Sequence, residues 1–140
     1  MHLLDVNVWL ALAFDSHRHH TSAAEWFSTA QNESCCFCRI TQMGFLRLAT
    51  TPRVMIDAAL NLTEAWQAYE SLYNDPRVVF ADEPDELEPL WRAYTQHDLF
   101  SPKVWSDAYL AAFAHAADFE VITFDRGFAH YQDLRCSFLS

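Results

Sequence analysis

Three aspartates that are far apart in the chain carry the residue type and the spacing that metal-assisted chemistry needs. Asp5 ends the first apolar segment, and Asp125 directly follows the β-branched segment 120–124. Asp107 lies in the first turn of an alanine-rich helix predicted over 103–117. The carboxyl ends of parallel strands meet at one edge of a sheet, and a right-handed crossover returns the helix to that edge. We therefore expect the three carboxylates to converge.

Converging carboxylates repel one another, and their pKa values rise unless a cation neutralises them. Oxygen ligands of this kind are typical of Mg²⁺ and Mn²⁺, which bind through carboxylates, waters and a substrate phosphate. Such an ion generates hydroxide from water and stabilises charge during phosphodiester hydrolysis. An isolated aspartate after a strand is as often an ordinary turn residue, so the prediction depends on all three acids together. We predict that Asp5, Asp107 and Asp125 are both metal ligands and catalytic residues.

The elements that position these acids alternate along the chain. Strand-like apolar segments are found at 2–6, 34–40, 77–81, 120–124 and 136–139. Helical spacing of apolar residues is found at 6–14, at 24–27 after a cap at Thr21 or Ser22, and at 41–50, 61–73, 83–96 and 103–117. This alternation predicts an α/β fold in one domain spanning 1–140, a three-layer α/β/α sandwich with a central, mainly parallel sheet.

The net charge of the chain is unusual for a protein that acts on nucleic acid. The 140 residues include 9 Lys and Arg against 19 Asp and Glu, which gives a formal net charge of −10. Proteins that bind phosphate backbones through their own side chains usually carry an excess of cations. A divalent ion held by clustered acids reverses the local field. A basic partner covering the site would also compensate, so the acidic balance does not exclude a nucleic acid substrate.

The four cysteines and the apolar segments indicate where the protein works. Cys35, Cys36, Cys38 and Cys136 form no C-x-x-C pair, and we expect buried thiols rather than zinc ligands. Reduced thiols are typical of the cytosol. With Asp5 interrupting the first apolar segment, and no stretch of about 20 apolar residues, we expect neither a signal peptide nor a membrane span. These features predict a cytoplasmic protein.

Four blocks of the sequence resemble, in order, those of PIN domains, especially the VapC toxins of toxin–antitoxin pairs. They are LLDVNVWLALA, ITQMGFLRLAT, WSDAYLAAFA and VITFDRGFA, and together they extend from Leu3 to Ala129. The segment from about Pro52 to Phe100 adds little to the resemblance. The resemblance implies an endoribonuclease with a Mg²⁺ or Mn²⁺ cofactor, RNA as substrate and a cognate antitoxin as partner. The large apolar residues of the first helices would suit an antitoxin surface or a homodimer.

The resemblance also assigns roles to individual residues. The acid of the first block and the acid of the D-A-x-L-A block hold the metal in the family, and they match Asp5 and Asp107. The acid of the T-F-D block matches Asp125. Asn7 stands where the family has a small polar residue that orders metal-bound water, so the resemblance implies a supporting role for it.

One position departs from the family pattern. Many PIN nucleases have a glutamate at the start of the helix after the second strand, and we match that position to Gln42. A glutamine can hydrogen-bond a metal-bound water but adds no charge, which weakens the case for a second metal and for high activity. Arg47, one turn further along, pairs with an acid or reaches a phosphate in this hypothesis.

Two alternatives remain beside the nuclease hypothesis. The first is a PIN-like binding module of weak or lost activity, motivated by Gln42. The second is a phosphohydrolase of the haloacid dehalogenase kind, which also begins with an aspartate after its first strand. That class needs D-x-D, whereas Asn7 stands at the third position, and the one lysine available is Lys103.

Overall fold

The computed structural model describes residues 1–140, in which five short strands alternate with seven helices. The strands are β1 (His2–Leu4), β2 (Cys35–Phe37), β3 (Val78–Phe80), β4 (Glu120–Thr123) and β5 (Cys136–Phe138). The helices are α1 (Val6–Ala13), α2 (His20–Thr29), α3 (Arg39–Ala49), α4 (Pro52–Met55), α5 (Leu62–Leu72), α6 (Leu87–Tyr94) and α7 (Val104–Ala117). Single 3₁₀ turns follow at Ile56–Ala58 and Arg126–His130. No helix has the length and apolar character needed to cross a membrane.

The five strands form one parallel sheet in the order β3-β2-β1-β4-β5. The chain builds outward from β1 to β3 and then returns to the other side of β1 to add β4 and β5. The direction of winding therefore reverses between β1 and β4, and such a switch point opens a crevice at the carboxyl ends of the two strands. The predicted fold class is confirmed, and the sheet is parallel throughout.

Successive residues of each strand point to opposite faces of the sheet and build two separate cores. Leu3 and Val121 pack with α6 and α7 on one face. Leu4 and Ile122 pack with α1, α3 and α5 on the other face. With both faces covered, β2 and β3 are apolar throughout, as expected for a buried parallel sheet.

The cysteines belong to these cores. Cys35, Cys36 and Cys38 are buried and free, and Cys136 is partly buried. Burial raises the pKa of Cys35 to about 12 and the pKa of Cys36 to about 11, so both stay protonated thiols. The prediction of buried thiols is confirmed for Cys35, Cys36 and Cys38.

Some predicted boundaries were wrong because local capping ends or begins elements earlier than the apolar pattern does. The predicted strand 34–40 stops at Phe37, since Cys38 and Thr41 form a capping box that starts α3 at Arg39. Within it, the backbone N of Cys38 donates to Thr41 Oγ1 at 2.9 Å. Helix α2 also begins earlier than predicted, at His20, so that both predicted capping residues lie inside its first turn, although no side chain caps this helix.

Gly44 allows α3 to lie directly against α1, the helix that follows Asp5. A Cβ atom at this position would meet Val6 Cγ2 at 2.7 Å, closer than side-chain carbons normally approach. Glycine in the middle of a helix costs about 1 kcal/mol relative to alanine, so close packing is the reason for it here. The contact fixes the distance between the two helices that border the Asp5 region.

We predict that Gly44→Ala destabilises the protein, although the same change stabilises most helices. The added methyl group forces α3 away from Val6, and overpacking of this kind costs about 1–3 kcal/mol. Urea unfolding of the four members of a Gly44→Ala, Val6→Ala cycle measures the effect. In the double variant the space vacated by Val6 accepts the methyl group, so part of the lost stability should return. A Gly44→Ala variant more stable than the wild type would contradict the close-packing account.

Candidate functional site

Asp5 lies between β1 and α1 and serves both elements. Its Oδ1 accepts a hydrogen bond from the backbone N of Val6 at 2.8 Å, so that Asp5 is the N-cap of α1. Its own backbone N donates to the carbonyl of Ile122 at 3.0 Å, which continues the pairing of β1 with β4. The carboxylate is thereby fixed at the switch point of the sheet.

Thr123 links Asp5 to Asp125. Its hydroxyl donates to Asp5 Oδ2 at 2.8 Å and accepts from the backbone N of Asp125 at 2.9 Å. The side chain is fully buried at the end of β4. The role of Thr123 was not predicted from the sequence, although a hydroxyl among the apolar residues of 121–124 is a usable signal because a buried hydroxyl needs a partner.

Asp5 and Asp107 share a small pocket of about 100 Å³. Asp107 reaches it from the first turn of α7, as predicted. Helix α3 lines the pocket with residues that include Gly44 and Arg47. The remaining lining residues are Val6, Ile40, Thr41, Ser106 and Leu110. Arg47 is exposed and its guanidinium takes part in no ion pair, so a cation stands free beside two carboxylates.

Asp125 lies beside this pocket and is joined to it through a lysine. Its Oδ1 accepts from the backbone N of Gly127 at 2.8 Å. Its Oδ2 is 3.3 Å from Lys103 Nζ, and the same ammonium is 3.8 Å from Asp107 Oδ2. The three predicted acids thus belong to one connected cluster, in which Thr123 joins Asp5 to Asp125 and Lys103 joins Asp125 to Asp107.

The electrostatic environments of the three acids differ. Burial raises the pKa of Asp5, against the lowering effect of the hydrogen bonds from Thr123 and Val6. Burial also raises the pKa of Asp107, while nearby Lys103 opposes the rise. The hydrogen bond from the backbone of Gly127 lowers the pKa of Asp125. Burial therefore disfavours the charged forms of the two acids inside the pocket, and a bound cation would stabilise those charged forms.

The pocket offers carboxylate oxygens that suit a hard divalent ion. No three His, Cys, Asp or Glu side chains stand close enough to hold a metal ion on their own. Magnesium sites, however, commonly use one or two carboxylates and fill the other positions with water and substrate phosphate. Asp5 and Asp107 match that type of site. Asp125 is instead in contact with Lys103.

Two residues of the predicted supporting shell lie outside the pocket. Gln42 Oε1 accepts from Arg39 Nη1 at 2.6 Å and does not line the pocket, so the structure does not bring it together with Asp5 and Asp107. Successive residues of an α-helix are rotated by about 100° about its axis, so Gln42 and Gly44 point in different directions. Gly44 and Arg47 are among the residues of α3 that line the pocket. Asn7 is exposed on α1 and does not line the pocket either.

Comparison of the sequence with known proteins shows the family of this chain. The family model of the PIN domain matches residues 2–134. Ribonuclease VapC41 of Mycobacterium tuberculosis is 42% identical over 146 aligned positions, which cover 100% of this chain and 99% of the relative. Ribonuclease VapC38 of the same organism is 33% identical over 91% of this chain and 86% of its own length.

Solved structures show the same fold at low sequence identity. VapBC2 from Rickettsia felis, bound to a DNA fragment from its promoter, matches 99% of this chain and 98% of its own with a TM-score of 0.74 at 12% identity. Mycobacterium tuberculosis VapC20, described as a sarcin-ricin loop cleaving toxin, covers 96% of this chain and 99% of its own, with a TM-score of 0.67 at 17% identity. At such low sequence identities, these structural similarities support the fold alone.

We predict that Asp5→Asn stabilises the metal-free protein near neutral pH. Because burial raises the pKa of Asp5 in the folded state, the folded protein loses stability as the pH rises from the ordinary aspartate pKa to that raised pKa, and the loss persists at neutral pH. Asparagine keeps the capping acceptor without the charge. The melting temperature should rise by about 2–4 °C, and the gain should fade as the pH drops through the ordinary aspartate range.

Calorimetry across a pH series in the presence of EDTA measures this effect. Asp85→Asn, at an exposed acid outside the cluster, is the matched control and should leave the melting temperature unchanged. A less stable Asp5→Asn variant at neutral pH would mean that the hydrogen bond from Thr123 outweighs the cost of the buried charge.

Proposed function

Since the chain belongs to the PIN-domain family, we propose that it is a metal-dependent endoribonuclease and the toxin of a toxin–antitoxin pair. The observation that carries the proposal is the pocket shared by Asp5 and Asp107 at the switch point of the sheet. Burial raises the pKa of both carboxyls, as expected for groups arranged to receive a cation. A relative that matches over the full chain is named a ribonuclease, which supports RNA as the substrate class.

The side chains divide the work as follows. Asp5 and Asp107 would hold Mg²⁺ or Mn²⁺ in the pocket that both of them line, and Asp125 is the third ligand that we propose. The bound ion would lower the pKa of a water molecule and neutralise charge on the phosphate. Arg47 stands free at the pocket and suits contact with the phosphate of the RNA, since a guanidinium matches phosphate oxygens in pairs.

The proposed partner is an antitoxin with a basic residue that reaches the carboxylates. A net charge of −10 and an acidic pocket favour such a segment. Val8, Trp9 and Leu10 of the first helix are buried and are therefore not part of such a surface. Large apolar side chains are exposed on the segment from α3 to α5 and around the start of α7, and they are available to an antitoxin or to a second copy in a homodimer: Met43, Val54, Ile56, Leu62 and Trp66, and then Leu99, Phe100 and Trp105.

The family and the structure bear differently on the two alternative functions, the phosphohydrolase and the binding module. Membership of the PIN family removes the basis for a haloacid dehalogenase assignment. The binding-module hypothesis rested on Gln42, which lies outside the pocket. Helix α3 nevertheless contributes no carboxylate, because its residues that line the pocket are Ile40, Thr41, Gly44 and Arg47. A single ion is the arrangement that this donor set supports.

We predict that Asp107→Asn abolishes RNA cleavage, with a rate at least about 100-fold below that of the wild type. The variant loses a charged ligand, and metal assistance contributes several kcal/mol to hydrolysis. Cleavage of a defined single-stranded RNA, followed on gels with added Mn²⁺, measures the rate. Asp85→Asn removes the same charge at an exposed position and should cleave at the wild-type rate.

Addition of EDTA should stop cleavage by the wild type, and excess Mn²⁺ should restore it. Cleavage by Asp107→Asn at the wild-type rate, or cleavage insensitive to EDTA, would contradict the metal-dependent mechanism. Wild-type protein that binds Mn²⁺ and RNA without any cleavage would support the binding module instead.

A further inference from the structure

Lys103 is the one lysine of the chain, and its ammonium lies within the acid cluster. It is the residue directly before α7, and its Nζ is 3.3 Å from Asp125 Oδ2 and 3.8 Å from Asp107 Oδ2. The contact with Asp125 is between residues 22 positions apart, so it joins the start of α7 to the loop after β4. The flexible side chain of Lys103 therefore partly neutralises two carboxylates that belong to separate elements.

The stability of α7 does not explain a lysine at this position. The amino end of a helix carries partial positive charge and favours acids, so a cation there is unfavourable. A lysine four residues before an acid is also the less favourable order for such a pair. The lysine side chain is 72% exposed, and exposed ion pairs contribute little to folding. The position is better explained by the carboxylates that the ammonium faces.

The oxygen that Lys103 contacts on Asp125 is the one that remains available for a cation. Asp125 Oδ1 already accepts from the backbone N of Gly127, whereas Oδ2 has only the ammonium as partner. Any ion that takes Oδ2 of Asp125 as a ligand has to replace this contact. The same ammonium is also the nearest cation to Asp107 Oδ2, within the proposed metal pocket.

We propose that Lys103 is a tethered counter-cation that occupies the carboxylate cluster in the metal-free protein and that a divalent ion must displace it. The inference rests on the proposed function, since it concerns the same carboxylates. The lysine lowers the repulsion between the acids while no metal is bound, and its flexible, exposed stem lets it leave at little cost. It sets the metal concentration at which the site fills.

The test is a calorimetric titration of Mn²⁺ into the full chain at fixed ionic strength. Lys103→Met removes the competing ammonium, and its Mn²⁺ affinity should rise about three- to tenfold above that of the wild type. Lys103→Arg keeps the charge and should stay close to the wild-type affinity. Melting curves establish beforehand that each variant is folded.

Arg126→Met is the matched control for loss of one positive charge. Arg126 is adjacent to Asp125 in the chain, but its guanidinium lies over the ring of Phe138 at 5.3 Å and forms no ion pair. Its removal should change the Mn²⁺ affinity less than about twofold, since exposed charges interact weakly through solvent. An equal gain in Arg126→Met would show a general effect of net charge and overturn the proposal.

The remaining outcomes separate this inference from the proposed function. Unchanged or weaker Mn²⁺ binding by Lys103→Met overturns the counter-cation, whatever the nuclease activity. Tighter binding by Lys103→Met in a protein that cleaves no RNA supports the counter-cation and refutes the ribonuclease. Absence of Mn²⁺ binding in both the wild type and Lys103→Met refutes the counter-cation together with the metal dependence.

Discussion

The hydroxyl of Thr123 holds together the two strand ends on which the site is built. It donates to Asp5 Oδ2 and accepts from the backbone N of Asp125, so one buried group sets the positions of both acids. Strands β1 and β4 are neighbours where the winding of the sheet reverses. Asp5 then caps α1, and Gly44 lets α3 approach that helix closely. The pocket is the space left between these fixed elements and the start of α7.

Concentrated negative charge is the second constraint on this site. Burial keeps the pKa values of Asp5 and Asp107 high, and a chain with a net charge of −10 has few cations to offset them. Lys103 supplies one positive charge from within the chain. The proposed divalent ion and a basic antitoxin residue would supply it from outside. Lys103, the divalent ion and the antitoxin residue would each occupy the same carboxylate cluster. The activity of the proposed toxin would then depend on which of them is bound.

The sequence was sufficient to predict the sheet and the convergence of the acids. Asp5 and Asp125 follow two apolar segments at the predicted carboxyl edge of a parallel sheet, and the structure links them through the hydroxyl of Thr123. The orientation of α3 was harder to predict, because Gln42 and Gly44 differ by about 200° around a helix. A glycine in the middle of a helical pattern indicates close packing, and with Arg47 three residues on it marks the side that faces the pocket.

The central claim is that Asp5 and Asp107 together bind one divalent ion, and a crystal structure of the protein grown with Mn²⁺ tests it most directly. Anomalous scattering from manganese locates the ion independently of any assumption about its ligands. The account predicts one strong peak in the pocket, at about 2.1 Å from carboxylate oxygens of both Asp5 and Asp107. A structure with no manganese there, or with manganese bound only elsewhere, such as at His17 and His19, would contradict it.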